Sequence, residues 1–440
     1  MKGKILFMSL CLAASASSMN AQENTDTNKD ANKEKTEETS PKKKSRLTLG
    51  GYGEAVMTRN FYSDNVNRYS KAEDYKNAKG HGQFDLPHVV IMIGYDFGKG
   101  WTMGSEIEFE HGGTESAVEL EAEEVGEWEN EIERGGEVAL EQFWIQKSLG
   151  KAFNIRAGHM VVPVGYTNAH HLPTEFFTVY RPEGENTIMP CTWHETGLSL
   201  WGKIGKWRYE AMVMPALNSL KFSKDQWIKN GSGSAFEFTP ANNYAVAARV
   251  DNYSVPGLRI GVSGYYGHSF GNTLQADEGK YKNVKGAVSI GTIDFDYHGH
   301  NWIVRGNFDY GHLGDADIIS KYNRDQSNTS PYKKTHVGKE ALCGGMEAGY
   351  DLFSRFKKIH EKGDKLYLFG RYEYYDAYIP APSLTDYTWT DRHRIAIGLN
   401  YCPLKDIVIK AEYSKRFLKS QYNNEPSISL GIAYAGFFIK

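Results

Sequence analysis

A chain of 440 residues with a formal net charge of -3 has no basic excess for holding nucleic acid, and beyond its N-terminus no apolar run is long enough to cross a bilayer as a helix. Its 45 glycines and 28 tyrosines, beside a hydrophobic fraction of only 40%, fit a fold in which every second strand residue needs to be apolar. Cys191, Cys343 and Cys402 are odd in number and far apart, so they supply neither a disulfide framework nor zinc-site spacing.

Met1 to Ala21 has Lys2 and Lys4, an apolar run from Ile5 to Ala14 and small residues toward the end, the pattern of a secretory signal peptide cut after Ala21. Leu10 before Cys11 is too bulky for a lipoprotein site. Residues 22–46, rich in Glu, Lys, Asp, Asn and Thr, read as a disordered charged periplasmic tether, or alternatively as a docking segment. The remainder, 47–440, reads as one barrel.

From Leu47 onward the chain alternates apolar and polar residues in about sixteen short blocks. They lie near 47–59, 84–95, 101–110, 138–148, 153–159, 195–204, 207–214 and 244–251, and then near 258–268, 286–298, 302–311, 341–353, 365–378, 392–402, 407–416 and 427–439. Such lengths suit tilted strands crossing a bilayer. The connections alternate too. Segments 60–83, 111–137, 160–194, 215–243, 269–285 and 312–340 are long, whereas 96–100, 149–152, 203–206, 251–257 and 298–301 are short. Short turns at one end and long loops at the other predict an all-β fold, a transmembrane antiparallel β-barrel of about 16 strands in the cell outer membrane. Aromatics agree: Trp101, Trp207 and Trp302 open strands after short turns, as Phe153 and Leu258 do, and Phe109, Tyr266 and Tyr310 follow Trp101, Leu258 and Trp302 by eight residues on the same face. Blocks 47–59, 84–95 and 138–148 leave their facing ambiguous.

Taking the polar parity as interior makes Arg156, Arg208, Arg249, Arg259, Arg305, Arg371, Arg394 and Lys410 pore-lining, with Glu106, Glu108, Glu210, Asp309 and Glu373. So many charges fit a water-filled lumen better than a packed one. The 160–195 segment, with Phe176, Phe177, Tyr180, Ile188 and Trp193, is too apolar for simple disorder and is expected to fold inward as a constriction loop. Its polar residues include His170, His171, Glu175 and Arg181, and Pro163 and Gly165 shape its start. His170 and His171 are adjacent and lack an HExxH arrangement, so no metal and no cofactor is expected there. Odd-numbered glutamates in 111–137 read as a solvated acidic hairpin or as a surface site for divalent cations. There is no GxSxG or other nucleophile motif.

Arg156-Ala157-Gly158, Pro163-Val164-Gly165, Tyr180-Arg181 and Gly197-Leu198-Ser199-Leu200-Trp201-Gly202, with GGYGEA at 50–55, resemble in order and spacing the phosphate-selective porin O and P family, in its Bacteroidetes-type form. The resemblance implies a sixteen-stranded homotrimer whose third extracellular loop enters the pore, passing phosphate and other small anions. It implies lipid and lipopolysaccharide as surroundings, and Arg181 as the motif-matched arginine. The leading expectation is a passive diffusion porin for small anionic or polar solutes, not an enzyme. A surface-binding or secretion-associated barrel and a barrel lipid hydrolase remain the alternatives.

Overall fold

The computed structural model describes residues 45–440 apart from 113–116, 121–129, 134–137, 234–237, 275–278, 329, 331, 420 and 422–423. The expected signal peptide and nearly all of the tether lie outside the described residues, as do the acidic side chains of the 111–137 loop.

Sixteen long strands form the wall. They are β1 (Leu47–Asn60), β2 (His88–Gly98), β3 (Trp101–Glu110), β4 (Val138–Ser148), β5 (Asn154–Val161), β6 (His194–Ile204), β7 (Trp207–Pro215) and β8 (Tyr244–Asn252). The second half comprises β9 (Leu258–His268), β10 (Ala287–Gly299), β11 (Trp302–Leu313), β12 (Glu340–Asp351), β13 (Lys365–Ile379), β14 (Asp391–Leu404), β15 (Ile407–Leu418) and β16 (Glu425–Ile439). Each pairs antiparallel with its chain neighbours, and β16 pairs with β1 from Leu49↔Ile439 to Asn60↔Ser427. That last ladder closes the sheet, so no edge is left with unpaired backbone groups.

The alternation places the two faces. In β14, Ile395, Ile397 and Leu399 point outward and are 50%, 54% and 42% exposed, while Arg394, Ala396 and Asn400 are buried inside. The outward row on β8 is Tyr244, Val246 and Val250; its inward row holds Arg249 and Asp251. An apolar exterior around a charged interior is stable only in lipid. Trp101, Trp207 and Trp302 stand outward at the short-turn end, and Tyr266 and Tyr310 outward nearer the long loops. These two bands mark the membrane interfaces.

The short turns are built for hairpins. Gly98, Lys99 and Gly100 all have positive φ (87°, 55°, 78°), and so do His300 and Asn301 (52°, 65°). Consecutive positive φ values match the right-handed twist of the flanking strands.

Three strands with ambiguous sequence parity have identifiable causes. In β4 the register with β3 shifts between Glu106↔Gln142 and Ile107↔Leu140, which leaves Glu141 as the extra residue of a bulge. Glu141 and Gln142 are therefore both buried, and alternation reverses there. In β1 and β2 the inward face is itself apolar: Tyr52, Val90 and Met92 pack with Ala435 against Leu172 of the long inner loop. The block read as 84–95 also begins late, at His88, because Gly82–Asp85 is a separate short strand pairing with the outer part of β1.

Candidate functional site

The 162–193 segment lies inside the barrel. Its neck is stapled by Val162 N–H donating to the Trp193 carbonyl (2.8 Å), Asn168 Nδ2 donating to the Val162 carbonyl (2.6 Å) and Trp193 N–H donating to Asn168 Oδ1 (2.5 Å). A short helix, Glu183–Ile188, supplies Glu185, whose carboxylate accepts the N–H groups of Tyr166 and Thr167 at 2.6 and 2.5 Å. Gly165 has φ +80°, and a Cβ there would lie 2.6 Å from Glu185 Oε1. Only glycine meets both conditions without strain.

Wall side chains of β13, β14 and β15 hold the loop. Lys410 Nζ donates to the carbonyls of Phe176 and Thr178 at 3.0 and 2.8 Å, and Asn400 Nδ2 donates to that of Phe177 at 3.0 Å. Glu412 accepts from Val179 N–H at 2.8 Å and Glu373 from Gly184 N–H at 3.2 Å. Across the lumen Arg249 Nη1 donates to the Gly165 carbonyl at 2.8 Å. Glu183 lies 2.7 Å from Arg416 and 3.0 Å from Arg394, and accepts the Tyr375 hydroxyl at 2.7 Å. Burial alone would raise the Glu183 carboxyl, but these two guanidinium groups outweigh it and hold the group well below the usual carboxylate range. Apolar contacts do the rest: Phe177 stacks on Phe369 (5.4 Å), and Ile188, Met189 and Trp193 join the main core with Met212, Met214 and Tyr265.

The arginines form a ladder with carboxylates. Arg208 pairs with Glu210 and Asp251; Arg249 and Arg259 each bridge Asp251 and Asp294. Arg305 joins Asp296 to Glu347, Arg371 joins Glu347 to Glu373, and Arg394 joins Glu373 to Glu412. Arg416 and Arg68 extend the series to Glu425. Shared partners on both sides of each guanidinium repay part of the cost of taking these charges out of water.

The opposite wall, β1 to β4, differs. It carries Glu54, Glu106, Glu108 and Glu141, all buried, with Arg181 of the loop among them. Between the two walls lies a cavity of about 60 Å³, room for a handful of waters. Arg156, Arg208, Glu210, Arg249, Asp251 and Arg259 line one side, Glu106 and Gln142 the other, and Pro163, His170 and His171 the loop side.

The predicted pore-lining residues all reach the interior, but they divide. Arg208, Arg249, Arg259, Arg305, Arg371, Arg394, Glu210 and Glu373 belong to the ladder. Lys410, with Arg249, Arg394 and Glu373 again, holds the loop. Arg156 stands apart over the Trp144 ring at 4.7 Å, 3.9 Å from Glu210. Asp309 also stands apart, accepting from Asn307 Nδ2 at 2.6 Å and from the Cys343 thiol at 3.2 Å. The expectation of a water-filled lumen therefore meets a narrower interior, because the loop covers most of these charges and the ladder offsets them. His170 and His171 do not converge. His170 stacks on Tyr166 (4.7 Å) and lies 3.7 Å from Glu175, whereas His171 sits edge-on to Tyr52 (5.8 Å). Burial, with Arg181 adding to it, lowers His171 to about 3, so its ring is neutral.

Several interior charges lie outside the residues expected from the sequence. Asp251 and Glu347 share the inward parity of Arg249 and Arg305's partner strand and were legible on that signal, as was Arg416 beside Glu412. Glu141 was hidden by the bulge and Glu54 by the apolar inner face of β1.

No family model matches the chain. It is 25% identical over 397 residues to an uncharacterized protein of Aquifex aeolicus (strain VF5), covering 87% of this chain and 78% of the relative. Among solved structures it is similar to an anion-selective porin from Comamonas acidovorans, with a TM-score of 0.50 and 10% identity over 89% of this chain and 99% of that one. The outer membrane channel DcaP of Acinetobacter baumannii gives a TM-score of 0.47 at 10% identity, over 89% and 99% of the two chains. The chain has the general porin fold. Its closed barrel and apolar exterior place it in the outer membrane.

Proposed function

We propose that this protein is a passive diffusion porin for small hydrophilic solutes, favouring anions, of the phosphate-selective O and P type. The observation that carries the reading is the cavity between an arginine ladder and a carboxylate wall, beneath a loop that narrows the lumen. Opposed charges across a constriction orient dipolar solutes and discriminate ions by sign. Four arginines against Glu106, Glu210 and Asp251 leave more cationic than anionic side chains on the cavity lining, which supports a preference for anions. This work needs no reacting side chain, so the protein is not an enzyme. The same reading includes export by a cleaved leader ending at Ala21, a periplasmic tether over 22–46, a trimeric assembly and contact with lipopolysaccharide.

A second reading, a surface-binding barrel, draws on the extent to which the 162–193 segment fills the lumen. The reversal potential of the purified protein in a planar bilayer under a KCl gradient, repeated with phosphate added, separates the two. Stable conductance with an anion-favouring potential that phosphate reduces supports the porin; folded protein without conductance overturns it in favour of surface binding.

A further inference from the structure

The structure assigns a transition-metal site to the inner wall near the extracellular mouth, formed by His88, Glu108 and Glu110. This inference is independent of what the pore conducts. In the ladder between β2 and β3, His88 stands directly opposite Glu110 and Val90 opposite Glu108, so the backbone register brings the imidazole against both carboxylates. His88 Nδ1 is 2.6 Å from Glu108 Oε1 and 3.9 Å from Glu110 Oε1. All three ligand atoms lie within 4.8 Å of one another, close enough to meet on one ion after small side-chain rotations.

Two further observations point to a cation. Glu106, the next inward residue on β3, is 3% exposed, and its Oε2 has no hydrogen-bond partner. It faces the same wall one inward position below Glu108, roughly 7 Å along the strand. Elsewhere in the lumen the ladder carboxylates have arginine partners, but among the described residues Glu54, Glu106 and Glu141 form no ion pair with a Lys or Arg. A buried carboxylate surplus with an orphaned oxygen is stabilised by a divalent charge. Asp85 and His111, paired at 2.8 Å, stand at the rim of the same wall.

The donor set selects the ion. One imidazole nitrogen with carboxylate oxygens suits zinc and its neighbours, whereas calcium takes oxygen donors alone. Zn²⁺ is thus the expected occupant, and Co²⁺ reports it through its visible absorption.

The test uses the full barrel in detergent, stripped with chelator and titrated with Co²⁺ and then Zn²⁺. One equivalent of Co²⁺ should give a nitrogen/oxygen-type absorption that Zn²⁺ abolishes. His88→Gln removes the nitrogen donor of the three ligands and keeps both carboxylates, so it separates this site from a purely acidic one. It should weaken Co²⁺ binding roughly 10–100-fold. Glu110→Gln, at a half-buried rim position, should do the same and decides the matter alone where the first variant does not fold. Absence of the absorption in the wild type, or unchanged affinity in either folded variant, overturns the site.

Discussion

Glu183, carried by the inner loop, lies 2.7 Å from Arg416 on the barrel wall, and this pair ties the loop to a strand 233 residues away in sequence. Glu183→Gln should loosen the loop. A fully buried pair broken on one side costs roughly 3–5 kcal/mol. Here the loss should be smaller, on the order of 2 kcal/mol, because Arg416 keeps Glu425 and Arg394 keeps Glu373 and Glu412. Thermal unfolding should show the loss, and single-channel records should show larger, noisier steps. Unchanged records would mean the loop does not limit the current.

The same carboxylate predicts a pH response. Its folded-state value lies below the ordinary 4.5, so its contribution is complete above about pH 4.5 and is lost as pH falls toward the folded value. Acid should therefore release the loop. Wild-type channels should turn progressively noisier as pH falls from about 4.5 toward the folded value, and Glu183→Gln should behave that way already at pH 7 and change less on acidification. A variant that keeps the full acid transition would assign it to other groups.

Lys410 gives an independent handle on the loop. It is 2% exposed, donates to two loop carbonyls and lies 4.0 Å from the centre of the Phe176 ring. Lys410→Met keeps the volume and removes the donors, leaving the Phe176 and Thr178 carbonyls without that partner at a cost of about 1–3 kcal/mol for each buried group. Proteolysis of the folded protein within 176–179 should become detectable, whereas the wild type should resist. Equal resistance would show that apolar packing around Phe177 alone holds the segment.

Much of the barrel is readable from the chain because alternation and loop length are local. Ile395, Ile397 and Leu399 announce their face without reference to any other strand. The facing of β1, β2 and β4 is not local: it depends on a bulge at Glu141 and on Leu172 arriving from the inner loop. The site divides in the same way. That Arg249, Arg394 and Lys410 point inward follows from parity, but what they meet does not. Lys410 donates to carbonyls 234 and 232 positions away, and no sequence period encodes a loop backbone as the partner.

Gly165 tests how the loop begins. A Cβ there would crowd Glu185 Oε1 at 2.6 Å, and φ +80° is strained for any other residue. Gly165→Val should cost at least the roughly 1–3 kcal/mol of a strained backbone and should displace Glu185 from the Tyr166 and Thr167 N–H groups. Gly205, at φ +59° with nothing near its Cβ, is the control: Gly205→Asn should leave conductance unchanged. Equal behaviour of both variants would remove the neck of the loop from the determinants of the current.

Selectivity should follow the cavity, not the whole ladder. Arg156 and Arg259 both line it, and Arg371, deeper in the ladder, does not. Arg156 borders the cavity beside the Trp144 ring, with Glu210 at 3.9 Å, whereas Arg371 is held between Glu347 and Glu373 away from it. Arg156→Glu should therefore move the reversal potential toward cations, and adding Arg259→Glu should move it further. Arg371→Gln should lower stability and leave the reversal potential near that of the wild type, because its charge meets Glu347 and Glu373 and not the solute path. Reversal potentials that shift equally for Arg371→Gln and Arg156→Glu would mean that ions sense the summed lumen charge, and the constriction would then have to lie elsewhere than at the cavity.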